Sequence, residues 1–323
     1  MGKLFNAFYN YSKEGPGVKK TDADKKFTVV RFFKQLGNKF WQIVTLNLMT
    51  VALNFPVFFV LLGLTGNYDI PFRAPASMMY QTMYAAMGNK SPVYMALYGI
   101  FGSEMNSGYP STTTYVLYAL GLLVLLTFGI SCTAIVYMMR NYTTATHVDI
   151  VGDYFRIIGK NWRQALPMGI IDIGLMFLLI YDVYFFRFNM NQSFFMQAFF
   201  WVALIIAAIY FMMRYYMYLI LVTFKLSIRK IIKNSFILAL VGIKRNIAAT
   251  LAILLVFVIN YLLFLFITPI GAALPFILTF GLCSFIATYA AYPVVKTFMI
   301  DPYYEEEDDT GLDEEEPIFV DRG

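Results

Sequence analysis

Charge is scarce in this chain, and its scarcity is uneven. Asp, Glu, Lys and Arg make up 14% of the 323 residues, against about 25% in soluble globular domains. None of the four occurs between Lys39 and Asp69, between Glu104 and Arg140, between Arg187 and Arg214, or across the 50 residues between Arg245 and Lys296. A soluble fold seldom needs such runs, whereas a bilayer core asks for about 20 apolar residues per helix. Histidine is nearly absent. His147 stands alone, which excludes a His-based metal set or a Ser–His–Asp triad within the chain. Cys132 and Cys283 are the two cysteines; both fall inside apolar runs and read as small buried apolar residues, with no disulfide framework. There is no GxxxxGK[ST] phosphate loop, no G-x-S-x-G elbow, and, outside the C-terminal tail, no carboxylate pair near a plausible aqueous site. These absences point to a non-enzymatic protein with no cofactor, and to membrane lipids rather than nucleic acid as its surroundings.

What the chain does have is six apolar runs, at 40–64, 114–137, 166–185, 196–221, 248–267 and 273–295. Each is long enough to span a bilayer as a helix. The last two are separated by Thr268-Pro269-Ile270-Gly271, a compact turn signal. Nine Lys and Arg precede the first run, four lie between the second and third, and six between the fourth and fifth. The alternate loops hold only Arg73, Lys90 and Arg187. By the positive-inside rule the N-terminus, the even loops and the C-terminus face the cytoplasm. The basic first 39 residues lack the apolar core of a cleavable leader. The expected fold is an all-α, polytopic transmembrane bundle. It divides into a cytoplasmic segment at 1–39, a six-helix domain at 40–300 with an outer loop at 65–113, and a tail at 301–323.

Each pair of spans follows a basic amphipathic segment. Val29, Val30, Phe33 and Leu36 recur at helical spacing around Arg31 and Lys34. Val151, Tyr154, Phe155 and Ile158 do so around Arg156, and Ile228, Ile231, Ile232, Phe236 and Leu240 around Arg229, Lys230 and Lys233. Such segments lie in the membrane interface with the apolar face down. Three hairpins, each introduced by an interfacial helix, is the arrangement this predicts. Lys34, Arg156, Lys160, Arg163, Arg229, Lys230 and Lys233 are its candidate lipid or docking contacts.

The outer loop is nearly uncharged, and 76–87 is apolar enough to lie on or dip into the outer leaflet. The tail differs from everything before it. Residues 301–323 hold 11 of the 20 acidic residues and one Arg, a net −10, leaving 24 cations against 9 carboxylates, or +15, on the other 300. Charge runs of this kind read as a disordered tail. It is either simply solvated or docks on a basic surface.

Charged groups inside a span are costly and usually face a partner in the bundle. At 1.5 Å per residue, Asp172 lies about 9 Å into the third span and Arg214 about 10 Å into the fourth from the same side. These two spans form one hairpin, so Asp172 and Arg214 are expected to pair, either as a static lock or as part of a solute path. Asp182, near the outer end, is expected to reach toward Arg187. Asn47, Asn54 and Asn260 are candidate polar bridges between helices, and Pro56 is expected to kink the first span.

The stretches Phe40-Trp41-Gln42-Ile43-Val44-Thr45-Leu46-Asn47-Leu48, Asn54-Phe55-Pro56, Asp153-Tyr154-Phe155-Arg156, Lys160-Asn161-Trp162-Arg163-Gln164-Ala165, Asp182-Val183-Tyr184-Phe185-Phe186 and Tyr292-Pro293-Val294 resemble the YesL family of bacterial membrane proteins. The resemblance covers most of residues 30–300. It implies a bacterial plasma-membrane location and, from the usual genomic company of such proteins, an accessory or regulatory role in carbohydrate uptake by ABC transporters. It brings no catalytic residues. The leading expectation is therefore a non-enzymatic accessory protein that contacts ABC permease subunits. An independent small-solute transporter or channel, and a membrane-bound sensor or regulator, are the alternatives.

Overall fold

A computed structural model describes residues 27–75, 79, 91–101, 104–146 and 148–302. The segment 76–87, save residue 79, His147, and the acidic tail beyond Pro302 lie outside the described residues. The elements are α1 (Val29–Leu53), α2 (Val57–Leu64), β1 (Ile70–Pro75), α3 (Pro92–Phe101), β2 (Glu104–Tyr109), α4 (Thr112–Gly121), α5 (Val124–Thr143), α6 (Ile150–Asn189), α7 (Phe194–Thr223), α8 (Ile228–Val241), α9 (Ile243–Phe266), α10 (Thr268–Leu274) and α11 (Phe280–Val295). Wider π-type turns occupy Pro275–Thr279 and Lys296–Ile300. The fold is an all-α polytopic bundle. Five helical stretches are long and apolar enough to cross a membrane: Thr112–Thr143, Ile150–Asn189, Phe194–Thr223, Ile243–Phe266 and Thr268–Ile300. A sixth is made if α1 and α2 count as one broken span.

The break falls where the sequence places it. Proline has no N–H to donate and disfavours helical backbone in the residue before it, and α1 stops at Leu53, three residues short of Pro56. Val57 N then donates to Asn54 O at 3.0 Å, closing a turn from which α2 starts afresh.

The amphipathic segments behave differently from one another. The first two run without interruption into their spans, in α1 and in the 40-residue α6. At 1.5 Å per residue α6 is about 60 Å long, twice a hydrocarbon core. Its basic first turns therefore lie outside that core. Pro167 sits within α6 without ending it. Only the third segment, α8, is a separate helix. The chain leaves helical geometry at Gly242 (φ −84°, ψ 15°), where a Cβ would overlap the Tyr216 hydroxyl and come within 3.1 Å of Leu238 O and Val294 Cγ2.

Two compact units divide the chain: residues 54–124, and the remainder. In the first, α2 packs on α4, and β1 pairs antiparallel with β2 in the register Ile70↔Tyr109 to Pro75↔Glu104. This ribbon is the one β-sheet among the described residues. Ser111 caps α4 by accepting from Thr114 N at 3.2 Å, and Thr114 Oγ1 donates to Asp69 Oδ1 at 2.8 Å.

The second unit centres on the last third of α7. Residues 212–221 are buried at every position but Arg214, enclosed by α6, α8 and α11. A helix buried all round needs no polar face. A neighbouring cluster joins Ile43 and Leu46 of α1, Met138, Met139 and Tyr142 of α5, Tyr154 and Ile157 of α6, and Phe285 and Tyr289 of α11. α6 packs on α7, and α9 on α10 and α11, as hairpins.

Candidate functional site: a buried carboxylate with three donors

Asp172 lies in α6 and is completely buried. Arg214 reaches it from α7, with Nε 2.8 Å from Oδ1 and 3.1 Å from Oδ2. The ion pair expected from depth alone is therefore formed. Two further donors complete it. Tyr210 Oη donates to Oδ1 at 2.9 Å and Tyr218 Oη to Oδ2 at 2.8 Å. Tyr210, Arg214 and Tyr218 are spaced four apart, so they share one stripe of α7. That spacing was the available signal for the tyrosines. The guanidinium also lies over the Phe128 ring of α5, its carbon 5.9 Å from the centroid, within cation–π range.

Chemically the cluster is closed. Both carboxylate oxygens accept two donors each, counting the forked Arg214 contact, and the residue has no exposed surface. Saturated buried networks of this kind specify a fixed arrangement. They hold helices in register and do not suit a site that must exchange ligands.

Two of the other candidate polar residues, Asn47 and Asn260, are spent in the same way. Asn47 Nδ2 donates to Pro275 O at 3.1 Å and Phe276 O at 2.5 Å, and Asn47 Oδ1 accepts from Gly281 N at 2.7 Å. One side chain of α1 thus satisfies backbone groups at the π-type start of the last span, where the regular i→i−4 ladder is broken. Replacing Asn47 with Leu would leave those groups buried and unpaired, at about 1–3 kcal/mol each. A fall of several degrees in the unfolding midpoint in detergent is the expected result. An unchanged midpoint would remove Asn47 from the bridge. Asn260 Nδ2 donates to Thr279 Oγ1 at 2.6 Å, joining α9 to the same irregular turn. Asn54 belongs to the turn that follows α1, where its carbonyl accepts from Val57 N.

Asp182 does not meet Arg187. Five residues on a helix turn through about 140° beyond a full turn, so the two face different ways, and Arg187 Nη1 instead points at Met190 Sδ, 3.1 Å away.

The candidate surface cations fall together at one end of the second unit. Lys34, Arg156, Lys160, Arg163, Arg229, Lys230 and Lys233 are all exposed. Arg156 pairs with Asp153 one turn earlier on α6, and Arg163 lies 5.6 Å from the Trp162 ring centroid. On α8 the cations accompany an exposed apolar strip of Phe236, Ile237, Leu240 and Val241. Arg140 differs from them in being partly buried. Its Nη1 donates to Val222 O and Thr223 Oγ1, both at 3.2 Å, tying the end of α5 to the end of α7. Among the described residues, no three His, Cys, Asp or Glu side chains come together as a metal site.

No curated protein and no solved structure matches this chain. Residues 112–183 match a family of proteins of unknown function, DUF624. The matched stretch runs from α4 through α5 into α6, taking in Asp172 but stopping before its Arg214 partner.

Proposed function

We propose that the protein is a non-enzymatic accessory or regulatory component of carbohydrate ABC-transporter uptake, a YesL-like protein of the bacterial plasma membrane. Its basic end faces the cytoplasm and is the part that meets a partner. One contrast carries this reading. Asp172, Asn47 and Asn260 are each held by partners inside the bundle, whereas the basic end leaves its cations and the apolar strip of α8 exposed. A transporter acting alone needs an interior polar group free to hold solute, and Asp172 has no such freedom. A docking protein needs exposed anchors that are apolar at the centre and charged at the rim, and α8 offers both. The carbohydrate assignment itself comes from the family resemblance.

The test is affinity purification at native expression, in mild detergent with sugar in the medium, read by mass spectrometry. Permease subunits of a sugar importer are expected to co-purify. Phe236→Glu with Leu240→Glu on α8 should reduce their recovery about tenfold or more, the scale expected for losing an interface anchor worth about 1–2 kcal/mol. Recovery of the protein alone would defeat the proposal. Solute uptake by the pure protein in liposomes would replace it with the transporter reading.

A further inference from the structure

The basic end carries a groove that nothing among the described residues fills. A cavity of about 800 Å³ opens between the end of α7, the outer face of α8 and the last π-type turn, lined by Phe224, Leu226, Ile237, Val241, Phe298 and Ile300 among others. A second, of about 340 Å³, shares Val241 and Phe298 with it and is edged by Lys244 and Arg245. The walls of the first cavity are largely apolar, the cations Lys244 and Arg245 stand at the edge of the second, and Arg229, Lys230 and Lys233 are exposed earlier on α8.

We propose that this groove is the seat of the protein's own C-terminal tail, with Ile318-Phe319-Val320 in the apolar cavity and the two acidic runs against these cations. Three observations carry it. The first is continuity: Phe298 and Ile300 line the groove, and the described chain ends at Pro302, two residues further on. The second is charge. The tail bears −10 and the rest of the chain +15; its acidic run at 305–309 begins three residues past Pro302 in the sequence, and Lys244 and Arg245 edge the second cavity. The third is composition and reach. After the two acidic runs and Pro317 comes Ile318-Phe319-Val320, an apolar cluster that charge repulsion from lipid does not explain. Fifteen residues separate it from Pro302, a tether that can extend to about 50 Å. A tether of this kind holds its end near the groove at roughly millimolar effective concentration, so weak contacts suffice to fill it.

The seated tail would cover the apolar strip of α8, so a partner must displace it. This regulatory consequence rests on the docking function proposed above; the seating itself does not, and it is tested without a partner. In full-length protein lacking Cys132 and Cys283 (both replaced by alanine), Ile237→Cys is combined with Phe319→Cys. Oxidation is followed in phosphatidylcholine–phosphatidylglycerol nanodiscs holding one copy each. The control pairs Phe319→Cys with Val151→Cys, an exposed position at the start of α6. An intramolecular disulfide at Ile237→Cys is expected to form about tenfold or more faster than at Val151→Cys. Changing the acidic residues at 305–309 and 313–316 to their amides, or raising salt to about 0.5 M, should remove most of that advantage. Equal rates at the two positions would overturn the proposal. So would a bond that forms only in lipid-free detergent, which would give the groove to acyl chains. Reaction only between copies in detergent would give it to a second chain. As a check independent of disulfide geometry, Ile237→Cys alone should react with a maleimide several-fold faster when Phe319→Asp is also present. An unchanged rate there would also sink the idea.

Discussion

Asp172→Ala is expected to remove most of the folded protein from the membrane. The side chain is fully buried and accepts from Arg214, Tyr210 and Tyr218. Its loss leaves a guanidinium inside the bundle without its counter-ion. Breaking a buried pair from one side costs about 3–5 kcal/mol, a large fraction of the 5–15 kcal/mol that holds a typical domain together. The two tyrosine hydroxyls lose their acceptor as well.

The tyrosines change what rescue should look like. If Asp172 and Arg214 formed an isolated pair, removing both would restore stability. With four members the double variant Asp172→Ala, Arg214→Ala removes the stranded charge but leaves two phenols, each at about 1–3 kcal/mol if unpaired. Partial recovery is therefore expected from the double variant. Near-complete recovery should need Tyr210→Phe and Tyr218→Phe in addition, since replacing all partners of a buried network by apolar groups can be nearly neutral. The readouts are abundance in isolated membranes and the unfolding midpoint in detergent. Full recovery in the double variant would remove the tyrosines from the network. Normal abundance of Asp172→Ala would show that the carboxylate holds nothing together.

The pair could be anticipated because a charge in a span is expensive and the two depths coincide. The tyrosines could not be singled out the same way. The chain has 24 of them, and a tyrosine at four-residue spacing on an apolar helix reads as packing. The arrest at Pro56 was legible because proline acts on its own backbone. Continuity of α6 was not. Its basic amphipathic half and its apolar half look like two elements, with Pro167 at their junction, yet an interior proline forfeits only one ladder bond, and a helix flanked by packed neighbours can absorb it. Gly242 separates α8 from α9, while Gly37 and Gly159 stay helical. The difference lies in surroundings: a Cβ at Gly37 or Gly159 would meet nothing within 4 Å, whereas Gly242 is hemmed in by Tyr216 and Val294. The β1–β2 ribbon was hidden because its strands show no clean polar–apolar alternation.

Gly129→Ala should be as damaging as any polar substitution, although it adds one methyl group. In α5 a Cβ at Gly129 would overlap Ala165 O of α6 and stand 2.6 Å from Gly169 Cα and 2.8 Å from Gly169 N. The obstruction is mutual, since a Cβ at Gly169 would overlap Gly129 Cα. The obstructing atoms are all backbone, so no side chain can rotate aside and the two helices must separate. Small residues allow this kind of approach between membrane helices, where packing drives association and water does not. The consequence reaches the buried carboxylate. Gly169 precedes Asp172 by less than one turn, and Phe128, beside Gly129, lies against the Arg214 guanidinium. Displacing α6 from α5 therefore also draws Asp172 from its donors on α7. Gly129→Ala and Gly169→Ala are each expected to lower membrane abundance several-fold, and Gly129→Val further. Gly174→Ala, on the same α6 but with open space around its Cβ, should be neutral or stabilising by about 1 kcal/mol, the ordinary gain of alanine over glycine in a helix. If Gly129→Ala and Gly174→Ala accumulate equally and unfold at the same temperature, α5 and α6 do not meet backbone to backbone, and the register that aims Asp172 at α7 must be set by the ion pair alone.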